Sequence, residues 1–405
     1  MIQKVDGGVC AAKGFTANGI HCGIRRNKTK RDLALIYSRC PANAAAVYTT
    51  NLVKGAPLLV TQRHLTNGRA QAVICNSGNA NTCNAGGIEI AEQMSALVAD
   101  RLHISSDDVV VASTGVIGQP LDITPIASGL PALAAGLAET GSLAAAEAIM
   151  TTDTALKELA LTFRIGETTC TIGGIAKGSG MIHPNMATML VFITTDCAIT
   201  APLLQKALSQ DVRSTFNMVS VDGDTSTNDM VTILANGLAG NPEITGEGRD
   251  FDTFMQALNT LTVYLCRQIA ADGEGATKLL ECRVSGADSE ATAKAAAKAV
   301  ICSSLVKIAM FGADANWGRV LCAVGYSGAA VDVNRVDISF SSPKGQVLVC
   351  RNGASVAFSE ELAKAILLEK EIFINIDLNS GTASATAWGC DLTYEYVKIN
   401  GDYRT

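Results

Sequence analysis

The sequence predicts an α/β protein rich in antiparallel or mixed sheet, and three patterns carry that expectation. Period-two alternation recurs along the chain, helical spacing appears between the alternating stretches, and short apolar runs end in loops bearing Asn, Ser and Gly. The chain has 405 residues, of which 48% are hydrophobic and 17% charged. That composition suits a folded chain with a large core, and the length allows two or three units of about 100–200 residues each.

Taken in order, Val73-Ile74-Cys75 is an apolar run that ends in Asn76-Ser77-Gly78, the look of a buried strand feeding a loop. Ala91, Met94, Leu97, Val98 and Leu102 then share one face at helical spacing. Val109-Val110-Val111 is a second buried run, ending in Ser113-Thr114-Gly115. Leu159, Leu161, Phe163 and Ile165 alternate with Ala160, Thr162 and Arg164, and the turn Gly166-Glu167-Thr168 sends the chain back through Cys170 and Ile172 as a hairpin. The alanine-rich stretch from Ser289 to about Val300 reads as a helix, with Asp288 or Ser289 as its cap. Near the end, Ile372, Ile374, Ile376 and Leu378, then Asn379-Ser380-Gly381, then Ala383, Ala385 and Ala387 read as another hairpin. There is no internal repeat and no Pro/Ser linker between the halves. The sharpest punctuation lies mid-chain, from Lys177 to Asn185.

Several function classes drop out. No apolar run approaches the ~18 residues of a membrane span, and the N-terminal segment lacks both an apolar h-region and the early arginines of a transit peptide, so the expected location is the cytoplasm. Thirteen cysteines lie scattered without a CxxC pair, which reads as reduced, mostly buried thiols rather than a disulfide framework or a zinc site. Lys and Arg number 32 against 38 Asp and Glu, so no basic excess points to nucleic acid. The phosphate-binding loops of nucleotide enzymes lack their glycines here. The acidic run Asp222 to Asp229 lacks the sixth-position glycine and twelfth-position glutamate of a calcium loop and reads instead as an Asx-type turn. No metal is expected.

The chemistry concentrates at Gly178-Ser-Gly-Met-Ile-His-Pro-Asn-Met-Ala-Thr188, followed by the apolar Met189 to Ile193. This places a threonine at the mouth of a buried strand. If its hydroxyl attacks the Ala187 carbonyl, an acyl shift and hydrolysis free an N-terminal Thr188 whose own amine becomes the adjacent base. An α-amine of pKa about 7.7–8.0 is suited to take a hydroxyl proton near neutrality. Taken alone, the segment fits a plain turn before a core strand better than it fits a nucleophile.

PNMATML preceded by AKGSGMIH resembles the processing signature of the ornithine acetyltransferase family of arginine biosynthesis, also called glutamate N-acetyltransferase or ArgJ. Ser113 to Gly118 resembles that family's oxyanion segment, Met150 to Thr154 its substrate-binding turn, and Asp272 to Lys278 a third motif. Asn400 to Thr405 resembles its C-terminal closure, and Asn76 to Asn81 and Gly312 to Arg319 match in the expected order. The segment from Gly118 to Asp122 departs from the pattern in the placement of Pro120.

The resemblance implies a cut between Ala187 and Thr188, giving an α chain, 1–187, and a β chain, 188–405, intertwined in stacked α/β layers and assembled as a heterotetramer. It implies Thr188 as nucleophile, Thr114 and Gly115 as the oxyanion hole, and Thr151, Lys177, Thr188, Glu274, Asn400 and Thr405 as substrate contacts. His183 is expected to be a loop residue outside the catalysis. The implied reaction carries acetyl from N-acetylornithine to glutamate through an acetyl-threonine, by ping-pong kinetics and without a cofactor; bifunctional members also take acetyl from acetyl-CoA. The rival readings are an N-terminal-threonine amidohydrolase or aminopeptidase with water as acceptor, and an uncleaved binding protein.

Overall fold

The computed structural model describes residues 2–25, 27–183 and 189–402. Ala187, Thr188 and Thr405 therefore lie outside the described residues. In chain order the first strands are β1 (Gln3–Val5), β2 (Phe15–Ile20), β3 (Leu33–Tyr48), β4 (Arg69–Asn76), β5 (Val109–Ser113), β6 (Lys157–Ile165), β7 (Thr168–Lys177) and β8 (Leu190–Thr195). They are followed by β9 (Val219–Ser220), β10 (Met230–Ala235), β11 (Leu279–Ala287), β12 (Asp337–Ser342), β13 (Gly345–Arg351), β14 (Ala354–Ser355), β15 (Glu371–Asp377) and β16 (Ala383–Cys390).

Nine strands form one sheet in the order β1-β6-β7-β8-β10-β3-β4-β5, with β2 alongside β3. The hairpin expected at 157–177 is present, pairing Lys157 with Ala176 through to Ile165 with Thr168. The apolar runs at 73–75 and 109–111 are the parallel pair β4 and β5, and their last residues, Asn76 and Ser113, stand side by side. All six residues of β8 are buried, because helices cover both faces of the sheet at this point. On one face lies helix Ser142–Ile149, whose small side chains let it approach β2, β3 and β7. On the other lies the 23-residue helix Arg249–Ala271, which presents Phe254, Leu258, Leu261 and Leu265 to β6 and β7 and stacks Phe254 edge-on against Phe163. That helix also touches β11 and β16 of the second sheet. The result is the expected stack of α and β layers.

The second sheet runs β14-β13-β12-β15-β11-β16-β9 and overturns one expectation. The stretches 371–377 and 383–390 are strands, but they do not form a hairpin with each other. β11 lies between them, parallel to β15 and antiparallel to β16. The Asn379-Ser380-Gly381 turn steps over the end of β11 instead, with Ser380 N–H donating to Gly286 O and Leu378 N–H to Ser285 O. The period-two pattern was right about which side chains face the core, and the insertion of a remote strand decided the pairing. The helices predicted around 91–102 and 289–300 are Gly87–Leu102 and Glu290–Cys302. Ser289, not Asp288, caps the latter, its hydroxyl accepting from Thr292 N–H at 3.2 Å.

Strand order also constrains any division of the chain at residue 188. β8 and β10 lie between β7 and β3, so the segments before and after the junction interleave within one sheet. Among the described residues no helix is long and apolar enough to cross a membrane.

Candidate active site

Strand ends from separate parts of the nine-stranded sheet meet around one cleft. Lys177 ends β7 and pairs with Leu190 at the start of β8; Thr114 and Gly115 follow β5. Between them opens a cleft whose lining includes Thr114, Gly115, Thr151, Lys177, Glu274 and Asn400. Six residues assigned by resemblance, spread over nearly 290 positions, thus meet at one place. A smaller recess beside it shares Thr114, Lys177 and Ser226 and adds Met189, Leu190 and Asp229. Met189 is the described residue joined directly to Thr188 in sequence.

The oxyanion segment is held by asparagines. Asn76 Nδ2 donates to Ser113 Oγ at 2.6 Å, while Asn76 Oδ1 accepts from the N–H groups of Gly78 and Asn79. Asn228 Nδ2 donates to Ala80 O at 2.6 Å and Ser113 O at 3.0 Å. Thr114 N–H is committed to Asn76 O at 2.9 Å, which leaves its hydroxyl and the Gly115 N–H as the donors this turn can aim into the cleft. Gly115 has φ 129°, and a Cβ there would come within 2.6–2.8 Å of the Gly78–Asn79 backbone. Only glycine fits that position.

A buried ion cluster fixes the opposite wall. Lys157 Nζ lies 2.8 Å from Asp153 Oδ1 and 2.5 Å from Asp272 Oδ2, with all three side chains nearly inaccessible. Asp153 also accepts from Thr151 N–H at 2.9 Å and Gly178 N–H at 2.6 Å. Asp272 accepts from Thr154 N–H at 3.1 Å. One cluster therefore sets the backbones that carry Thr151, Lys177 and Glu274. Burial alone would raise the Asp153 carboxyl, but the Lys177 and Lys157 cations and the Gly178 N–H outweigh it and hold the group well below the usual carboxylate range.

Glu274 is half-buried. Its N–H donates to Ser179 O at 2.9 Å, and its Oε2 accepts from Asn400 Nδ2 at 2.8 Å. A Cβ on Gly180 would fall 2.4 Å from the Glu274 carboxylate, so glycine there is the condition for bringing the acid into the cleft. Asn400 sits on the helix Tyr394–Asp402, which buries none of its described residues. The Asp222–Asp229 run behaves as the Asx-type turn expected of it: Asp222 accepts from Met181, Ile182 and Asp224 N–H groups. His183 is absent from the lining of either cavity. Its Nδ1 meets Ser220 Oγ at 3.1 Å, and burial, with Lys298 nearby, lowers its pKa to about 4.

Sequence reasoning passed over Lys157, Asp153, Asp272, Asn228 and Asp229 as functional candidates. Asp153, Asp272, Asn228 and Asp229 lay inside stretches already singled out, but their partners are up to 148 residues away and leave no local pattern. Among the described residues there is no cluster of His, Cys, Asp and Glu that could hold a metal ion.

A sequence model of the ArgJ family matches residues 16–405. The arginine biosynthesis bifunctional protein ArgJ of Caldanaerobacter subterraneus subsp. tengcongensis is 52% identical over 405 residues, covering all of both chains. Its namesake from Symbiobacterium thermophilum is 53% identical over 406 residues, again at full coverage of both. A crystal structure of the Bacillus halodurans protein of the same name superposes with a TM-score of 0.50 at 46% identity, covering 52% of this chain and 98% of that one. On the strength of the match over residues 16–405 and of these full-length relatives, the chain belongs to the ArgJ family.

Proposed function

We propose that the protein carries acetyl from N-acetylornithine to glutamate in arginine biosynthesis, with Thr188 as a nucleophile exposed by self-cleavage after Ala187. The observation that carries this reading is the convergence of Thr114, Gly115, Thr151, Lys177, Glu274 and Asn400 on one cleft beside Met189. In the proposed reaction the Thr188 amine takes the proton of its own hydroxyl while the oxygen attacks the acetyl carbonyl. The Thr114 hydroxyl and Gly115 N–H hold the developing oxyanion, and ornithine leaves with the proton. Glutamate's amine then collects the acetyl group from the ester. Lys177 supplies a cation for a substrate carboxylate and Glu274 an anion for the ornithine side-chain amine, with Asn400 fixing the orientation of Glu274. Thr151 and Thr405 complete the substrate contacts. No cofactor takes part.

The division into 1–187 and 188–405 is supported by length and by topology. The solved relative's chain corresponds to 52% of this one, and residues 188–405 make up a little over half of it. Interleaving of β7, β8, β10 and β3 would keep the two pieces together after the cut, as a heterotetramer of two of each requires. The relatives are named bifunctional; acetyl-CoA is accordingly proposed as a second acetyl donor, and the cytoplasm as the place of work.

Intact mass and N-terminal sequencing test the cut: two fragments are expected, the second beginning Thr188-Met189-Leu190, and a single chain in Thr188→Ala. Initial rates at several concentrations of both substrates should give parallel double-reciprocal lines. Intersecting lines would rule out the acetyl-enzyme, and acetate release without glutamate at the full rate would make the protein a hydrolase.

A further inference from the structure

Self-cleavage and acetyl transfer pose different proton problems. In transfer, the free amine of Thr188 is the base. Before the cut, that nitrogen is the amide of the bond to be broken and has no basic lone pair, so another group must take the hydroxyl's proton.

The recess beside Met189 offers a carboxylate. Asp229 immediately precedes β10, is 3% exposed, and its Oδ2 has no hydrogen-bond partner among the described residues. A buried acceptor left bare costs about 1–3 kcal/mol, so the fold keeps this oxygen at the expense of its own stability. Its position is set by the parallel pairing of β8 and β10: Met230 N–H donates to Met189 O at 2.9 Å, which puts Asp229 alongside the residue that follows Thr188. Thr114, the oxyanion donor of the proposed reaction, lines the same recess. Burial raises the Asp229 carboxyl well above its ordinary range, against the opposing pull of the Ser226 hydroxyl and the Lys177 cation. A carboxylate shifted toward neutrality is a stronger base than an ordinary one. The charged groups around it are Lys177 on β7, Asp153 behind that lysine, and Glu274 in the adjoining cleft.

We infer that Asp229 is the general base of self-cleavage, taking the proton from the Thr188 hydroxyl and returning it to the Thr188 nitrogen; this rests on the reading of Thr188 as the residue after the cut. The hydroxyl oxygen bonds to the Ala187 carbonyl carbon as its proton passes to Asp229. The C–N bond then breaks, the nitrogen receives that proton, and an ester joins Ala187 to the Thr188 oxygen. Water attacks the ester, its C–O bond breaks, and the products are the Ala187 carboxylate and a free Thr188 with hydroxyl and amine.

The test follows precursor made by cell-free translation, stopped and shifted to a series of pH values, with cleavage read by intact mass. The wild type should cut with a rate that rises with pH through an apparent pKa above the ordinary carboxyl range. Asp229→Asn should slow cutting by about 10²–10⁴-fold while melting no lower than uncut Thr188→Ala. Ser226→Ala removes a donor that favours the ionised carboxylate, and should move the rising limb to higher pH with the fold intact. Should Asp229→Asn not fold, that shift decides the matter by itself. Wild-type cutting rates and an unchanged limb in either folded variant would overturn the role of Asp229. A wild-type chain that never cuts would instead bring down the reading of Thr188, a separate result.

Discussion

Asp153 and Asp229 are both carboxylates buried at the edge of the same sheet, within reach of the same Lys177 cation, yet their environments pull them in opposite directions. Asp153 has Lys157, Gly178 N–H and Thr151 N–H on its two oxygens and is held far below the usual range. Asp229 has one oxygen bare and is pushed far above it. Burial is common to both, so the partners decide. The side with every charge answered is scaffolding, and the side with a charge unanswered is where a proton can move.

The largest effect expected is the collapse of the answered side. Lys157→Met keeps the volume of the side chain but takes away the cation bonded to both Asp153 and Asp272, leaving Asp153 only the nearby Lys177 charge, and breaking a buried pair in this way costs about 3–5 kcal/mol. Chemical denaturation should show that loss. A change below ~1 kcal/mol would mean that the cluster does not organise this wall. Acid should dismantle the same side in the wild type. Because the folded-state pKa of Asp153 is depressed, its contribution is complete above the unfolded value of about 3.9 and is lost as pH falls below it. Lys157→Met should make that part of the stability profile shallower without abolishing it, because Lys177 and the Gly178 N–H also lower the Asp153 pKa.

Next in size comes Thr114→Val, which removes a hydroxyl donor while keeping the branched shape. A lost oxyanion donor costs about 2.7–4 kcal/mol, or about 10²–10³-fold in kcat, with KM little changed. A rise in KM alone would reassign Thr114 to ground-state binding.

Asp229→Asn should separate the two carboxylates most clearly. A raised folded-state carboxyl pKa makes the unfolded chain lose its proton first, so stability is lost as pH rises above about 3.9. Set against the equally uncut Thr188→Ala, Asp229→Asn should be no less stable near neutrality, by ~1 kcal/mol in its favour if the bare oxygen is as costly as buried acceptors generally are. The difference from Thr188→Ala should vanish below about pH 4. Destabilisation at neutral pH would show that Asp229 belongs to the scaffold after all.

What could be read from the chain follows the same division between local and remote causes. The 157–177 hairpin was legible because its turn, Gly166-Glu167, joins the two strands it pairs. Residues 371–377 and 383–390 were legible as strands, but not as neighbours of β11, since period two fixes the face of a strand and says nothing of what lies beside it. The cleft residues were found by the resemblance of their motifs to those of a known family, and the structure adds a physical reason for one of them, since φ 129° at Gly115 demands glycine. Lys157 left no such mark. It reads as one more residue of an alternating strand, and its meaning appears only when Asp272, 115 positions away, is folded onto it.

The smallest expected effect comes from the rim. Asn400 touches Glu274 from a helix that buries none of its described residues, so Asn400→Ala should change stability by less than ~0.5 kcal/mol. Its neutral hydrogen bond to a half-exposed carboxylate is worth about 0.5–1.5 kcal/mol, and loss of that alignment should appear as a few-fold rise in KM for N-acetylornithine with kcat intact. That split is what distinguishes a rim that orients substrate from a wall that holds the reacting atoms. If kcat fell with KM unchanged, the C-terminal helix would have to act on the transition state, and the Asn400–Glu274 contact would belong with Thr114 rather than with the periphery.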